Sequence, residues 1–132
     1  MKKIVVVFLV LVFLLTACGG NKPSKNLRVD MLEFTFTPAE FVVPAGEEIT
    51  ITVANNGAVL HEFVIMKFGQ TVGDDFGDED EGNIDWEVEV EPGKTVTTTF
   101  TAPADSGEYQ VVCGTAGHFM AGMAGTLVVA AP

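Results

Sequence analysis

Cysteine and histidine are nearly absent from this chain: each occurs twice, as Cys18 and Cys113 and as His61 and His118. Positive charge is scarce too, with 7 Lys and Arg against 18 Asp and Glu and a net charge of −11. The longest apolar run, Ile4 to Leu15, is twelve residues, short of the ~20 that a membrane-crossing helix needs. No segment carries a helical apolar stripe with caps, and no stretch repeats. Each shortage excludes something. Two cysteines cannot build a disulfide framework. An acidic surface repels nucleic acid and anionic headgroups and attracts basic partners, most strongly at low salt. The lack of amphipathic helices excludes a bundle.

What is present begins with an export signal. Lys2 and Lys3 precede the apolar run, and Leu15-Thr16-Ala17-Cys18 follows it. That stretch resembles a bacterial lipoprotein signal over residues 1–17, with Cys18 lipidated as the first mature residue. The alternative is an ordinary cleaved leader with an incidental cysteine. Without Lys2 and Lys3 the 7 basic residues fall to 5 against 18 acidic ones, a net charge of −13. Residues 18–26 (CGGNKPSKN) are polar, with Gly, Pro and Ser, and form a tether. A single domain is expected over 27–132. A domain of that size buries roughly two-thirds of its unfolded surface and needs no disulfide.

Period-2 alternation dominates that domain. "RVDMLEFTFTP" places Val29, Met31, Phe34 and Phe36 as inward candidates around a phase change. "EEITITVANNG" turns Ile49, Ile51 and Val53 one way and Thr50 and Thr52 the other, then ends at an Asn56-Gly57 turn. "EFVVPAG", "LHEFVIM", "IDWEVEV", "KTVTTTFTAP", "GEYQVVC" and "GTLVVA" complete the set, with Trp86 expected in the core and a turn of helix allowed within 68–82. Seven to eight short strands separated by turns predict an all-β, antiparallel two-sheet Greek-key sandwich.

The scarce donors are concentrated near the end of the chain. Cys113 closes a strand, His118 follows five residues later and Met123 five after that, among Gly114, Gly117, Gly122 and Gly125. Glycines let such a loop turn sharply, so thiolate, imidazole and thioether can converge. The remaining histidine, His61, opens "HEFVIM" and supplies the fourth donor if its strand end lies at the same pole. Two imidazoles, one thiolate and a weak axial thioether suit one copper ion, whereas structural zinc prefers four strong donors. Met120 competes with Met123 for the axial place but lies only two residues from His118. With no open metal position and no nucleophile–base pair, no enzymatic activity is expected.

At these residues the sequence resembles the cupredoxins, the small blue copper proteins that include plastocyanin-, azurin- and auracyanin-like members. "FTFTPAEFVVPAGEEITITVANNG" is similar to the family's opening strands, "HEFVI" to its first ligand histidine, and "CGTAGHFMAGMAG" to its ligand loop. The resemblance implies a Greek-key sandwich with copper at one end, Nδ1 ligation by His61 and His118, and Cys113 Sγ as the strong third ligand. It also implies a partly exposed His118 edge in an apolar patch, with Ala116, Gly117, Phe119 and Met120 around it, through which electrons pass. Two positions depart from the pattern: Glu62 stands where many members have Asn, and Gly114 where many have Ser or Thr. "HEF" is also similar to periplasmic members linked to copper tolerance, so copper buffering or delivery is the alternative function to electron transfer.

Residues 73–85 hold Asp74, Asp75, Asp78, Glu79, Asp80, Glu81 and Asp85. Such a run is a solvated loop or a docking surface for a basic redox partner; a calcium loop lacks its bidentate glutamate. The combined expectation is a monomeric one-electron carrier outside the cytoplasm, anchored to a bacterial membrane by lipid at Cys18. It would dock redox proteins that present basic or apolar surfaces.

Overall fold

A computed structural model of the chain describes residues 21–132. The export signal and Cys18 lie outside the described residues.

Nine strands and one 3₁₀ turn follow in order: β1 Asn26–Leu32, β2 Thr35–Thr37, β3 Glu40–Pro44, β4 Glu48–Asn55, β5 His61–Met66, the turn Glu81–Asn83, β6 Ile84–Val90, β7 Thr95–Thr101, β8 Gly107–Val112 and β9 Ala124–Ala130. They form a four-stranded sheet, β2-β1-β4-β7, and a five-stranded sheet, β3-β9-β8-β5-β6. The alternating residues explain the sandwich. Val29, Met31, Ile49, Ile51 and Val53 of the first sheet meet Val43, Phe63, Ile65, Val111 and Leu127 of the second, all fully buried. The intervening threonines face out, where Thr52 and Thr97 pair their hydroxyls at 3.0 Å. Trp86 is half-buried and stacks on Phe100 at 4.9 Å, 26° between planes.

Three details differ from the sequence reading. The segment expected as one strand is two, β1 and β2, because the chain reverses at Glu33-Phe34 with Phe34 at φ +66°. That reversal leaves Phe34 exposed, while Phe36 is buried as expected. Nor are the sheets wholly antiparallel: β1 pairs β4, and β3 pairs β9, in parallel. The chain leaves the first sheet after β2, adds β3 to the second and returns as β4. Strands separated by that crossover run the same way, which side-chain alternation does not encode. The helical turn, Glu81–Asn83, overlaps only the end of the 68–82 stretch allowed for it and runs one residue past it.

Antiparallel pairing of β5 with β8, Val64 opposite Val112, brings the start of β5 beside the end of β8. Pairing of β5 with β6 places Val90 opposite His61, and β1 with β4 places Met31 opposite Asn55. The 56–62 and 113–123 segments and the β1–β2 turn therefore share one pole.

Candidate metal centre

His61, Cys113 and His118 converge at that pole. The two Nδ1 atoms are 3.1 Å apart, and Cys113 Sγ lies 3.8 Å from His61 Nδ1 and 3.5 Å from His118 Nδ1. Among the described residues this is the one group of three or more His, Cys, Asp or Glu side chains close enough to share a metal ion. The triangle has the right size. An ion ~2.0 Å from each imidazole nitrogen and ~2.3 Å from a thiolate, at trigonal angles, sets nitrogens about 3.5 Å apart and nitrogen from sulfur about 3.7 Å. The residues present fit a single metal ion.

The loop that supplies two of these donors is tightly self-bonded. His118 N donates to Thr115 O at 3.0 Å, Ala121 N to Gly117 O at 3.1 Å and Gly122 N to Phe119 O at 2.8 Å. Gly117 at φ +80° and Gly122 at φ +103° make the reversals, in a region where a Cβ is costly. Met123 locks the loop shut: its N donates to His118 O at 2.9 Å and its O accepts from Cys113 N at 3.1 Å. Met123 is fully buried, whereas Met120 is 67% exposed. Met123 is thus bonded through its backbone to both flanking donor residues, and Met120 is not.

The histidine side is held by groups that sequence reasoning passed over. Buried Asn55 donates to Val59 O and Val90 O, each at 2.8 Å, and accepts from Gly57 N at 2.9 Å. Thr115 Oγ1 donates to Leu60 O at 3.1 Å, tying the two ligand segments together. Glu62 N points at Cys113 Sγ at 3.5 Å. The two departures from the family pattern meet each other: the Glu62 carboxylate lies over Gly114, in the space a Cβ there would need. Asp75 reaches across from the acidic loop, accepting from Gly117 N at 2.6 Å and Met120 N at 3.3 Å.

Electrostatics follow from these contacts. Burial, then the charge of His118, holds His61 below its ordinary value, with Glu33 opposing. The Gly117 N–H, ahead of that of Met120, lowers the Asp75 carboxyl. Burial pushes the Glu62 carboxyl up, and Glu87, Glu89 and Glu81 add to it. These carboxylates continue the acidic surface onto β6, whose Asp85, Glu87 and Glu89 all face out.

The residues expected to dock a partner differ in exposure: Asp80 is turned inward, and Asp75 and Phe119 are half-buried. Asp80 is buried and accepts from Gly77 N at 3.0 Å. Asp75 is bonded to the ligand loop, and Phe119 packs against a second apolar cluster with Val64, Met66, Val72, Phe76 and Val112. Asp74, Asp78, Glu79, Glu81 and Met120 are exposed. His118 is half-buried, and Phe34 packs edge-on against it at 5.4 Å.

A family profile for the cupredoxin-like domain matches residues 5–129. Among solved structures, the chain is similar to dithionite-reduced auracyanin of the photosynthetic bacterium Roseiflexus castenholzii. Identity is 31%, with 83% of this chain and 99% of that one covered at a TM-score of 0.69. Auracyanin A, a "blue" copper protein of Chloroflexus aurantiacus, matches at 28% identity, covering 80% and 99% with a TM-score of 0.61. A rusticyanin variant matches at 25% identity, covering 83% and 80% with a TM-score of 0.59. Among curated protein sequences, none matches the chain.

Proposed function

The chain belongs to the cupredoxin-like family, and on that premise we propose that it is a type 1 copper protein that carries single electrons between extracytoplasmic redox partners. The observation that carries the proposal is the His61–Cys113–His118 triangle, with buried Met123 bonded through its backbone to both Cys113 and His118. Copper held there by two imidazoles and a thiolate supplies a one-electron couple. The protein's own contribution is rigidity. Asn55, Thr115, Asp75 and Met123 fix both ligand segments from outside the donor triangle. A site that keeps its shape as the charge changes favours rapid exchange. The half-buried His118, beside exposed Phe34 and Met120, is the natural point of electron entry. With Met123 as a fourth donor beside the three, copper held there would have no position open for a substrate, so the proposed role is transfer and not catalysis.

The proposed location is the outer face of a bacterial membrane, with lipid at Cys18 and residues 18–26 as tether. Lys2, Lys3, the apolar run Ile4 to Leu15 and Leu15-Thr16-Ala17-Cys18 support that reading. Copper buffering is the competing role, favoured by "HEF" at residues 61–63. The two are separated by stopped-flow electron exchange between the copper-loaded protein and a small basic redox protein. A carrier exchanges rapidly, at a rate that falls with added salt. Slow, salt-insensitive exchange would assign the protein to copper storage.

A further inference from the structure

The turn between β1 and β2 supplies none of the donors, yet it meets both histidines. On one side Phe34, held at φ +66°, sets its ring edge-on to His118, 87° between planes. A bulky residue in that backbone region is strained and persists only where its surroundings hold it. On the other side stands Glu33. Its Oε1 accepts from Ala58 N at 2.5 Å, which aims the carboxylate at the segment leading into β5.

His61 is fully buried, and its Nε2 is the one buried side-chain nitrogen or oxygen among the described residues without a hydrogen-bond partner. An imidazole that ligates through Nδ1 keeps its other N–H on a carboxylate, a carbonyl or a water, which sets the tautomer and the ring's rotation. A Cβ built on Gly57 would stand 2.7 Å from Glu33 Oε1 and 2.8 Å from His61 Nε2. The two atoms therefore lie on the same side of Gly57, no farther apart than the sum of those distances.

We propose that Glu33 is a positioning residue of the metal site: its carboxylate, fixed by Ala58 N, stands close to the unpartnered Nε2–H of His61 and holds Nδ1 toward Cys113 and His118. The inference rests on the copper reading above. It makes the β1–β2 turn a third support of the site, beside the segments that carry the donors. The negative charge at Glu33 also favours the more oxidised ion.

The test compares wild type, Glu33→Gln and Glu33→Ala. Reduction potentials are measured on the copper-loaded proteins, Nε2–H exchange of His61 by NMR on the zinc-loaded ones, and melting temperatures on the metal-free ones. Glu33→Gln keeps an acceptor and loses the charge; Glu33→Ala loses both. The potential should rise from wild type to Glu33→Gln to Glu33→Ala, and the Nε2 proton of Glu33→Ala should exchange at least about tenfold faster. Unchanged potential and exchange in both variants, with or without a lower melting temperature, would overturn the proposal. A wild-type protein that takes up copper without thiolate colour would instead overturn the reading on which it rests.

Discussion

Cys113 and His61 show what full burial does to a donor. Neither exposes any surface, so each must be satisfied from inside the fold, and the 3.1–3.8 Å triangle is where that happens. The thioether is a residue-scale question with a clear answer in potential. A weak axial sulfur stabilises the oxidised ion and tunes the potential. Met123→Leu conserves volume, so it should cost less than about 1.5 kcal/mol while retaining copper and raising the potential. Met120→Leu, at an exposed position, should leave the potential unchanged in the same voltammetric measurement; the reverse pattern would move the axial role to Met120. His61 also sets a pH dependence. Its folded value is held below 6.5 by burial first, so below that pH the unfolded chain binds a proton that the folded chain resists. The associated stability is present above pH 6.5 and is lost as the pH falls. The melting temperature of the metal-free protein should therefore decline as pH drops through 6.5, above the carboxylate range, and the decline should be missing from His61→Asn.

Strands and loops divide the work at the next scale. Antiparallel β5 and β8 deliver His61 and Cys113 to one pole, and the connections there hold them. Asn55 is the key connector, with three hydrogen bonds made from a buried amide. Asn55→Ala should leave the part-buried Gly57 N–H and two carbonyls unpaired and cost about 1–3 kcal/mol in urea unfolding. The variant should also bind copper less tightly, because the turn before His61 loosens. At this scale the limits of sequence reading are visible. Ile49, Ile51 and Val53 were legible because period 2 assigns a face, and the His61–Cys113–His118 cluster was legible because these rare residues border two strands or lie in one glycine-rich loop. Alternation does not name a strand's partner, so the parallel β1–β4 and β3–β9 pairings were hidden. Phe34 looked like an inward residue because its backbone reversal leaves no period-2 mark. Asp75 read as one more acid in an acidic run. Only the folded chain shows its carboxylate on Gly117 N, 42 positions away. Glu33 and Thr115 were hidden for the same reason: their roles are made of long-range contacts between unremarkable residue types.

Charge is the property of the whole molecule that bears on function. The net charge of −11 is spread unevenly. Asp74, Asp78 and Glu79 of the acidic loop are exposed, and Glu81 joins Glu87 and Glu89 of β6 in crowding Glu62 beside the metal pole. A field of one sign close to the exchange point steers a basic partner and is screened over about 10 Å at 0.1 M salt. Neutralising Asp74, Asp78 and Glu79 together to Asn, Asn and Gln should slow association with a basic redox protein at low salt. At high salt the rate should be unaltered, and copper affinity should stay constant. A rate indifferent to these substitutions would leave the loop as solvated surface only. Location belongs to this scale as well: Cys18→Ser should move the protein from the membrane fraction to the soluble one, and retention in the membrane would remove the lipid anchor from the account.

The central claim is that thiolate and imidazoles from two distant segments hold one copper ion in a trigonal site. The most direct test is the optical and electron-spin spectrum of the protein loaded with one equivalent of Cu(II), beside Cys113→Ala. An intense visible thiolate-to-copper band with unusually small copper hyperfine splitting, both lost in Cys113→Ala, is the predicted result. A pale protein with ordinary tetragonal copper parameters, or a band that survives the loss of Cys113, would contradict it.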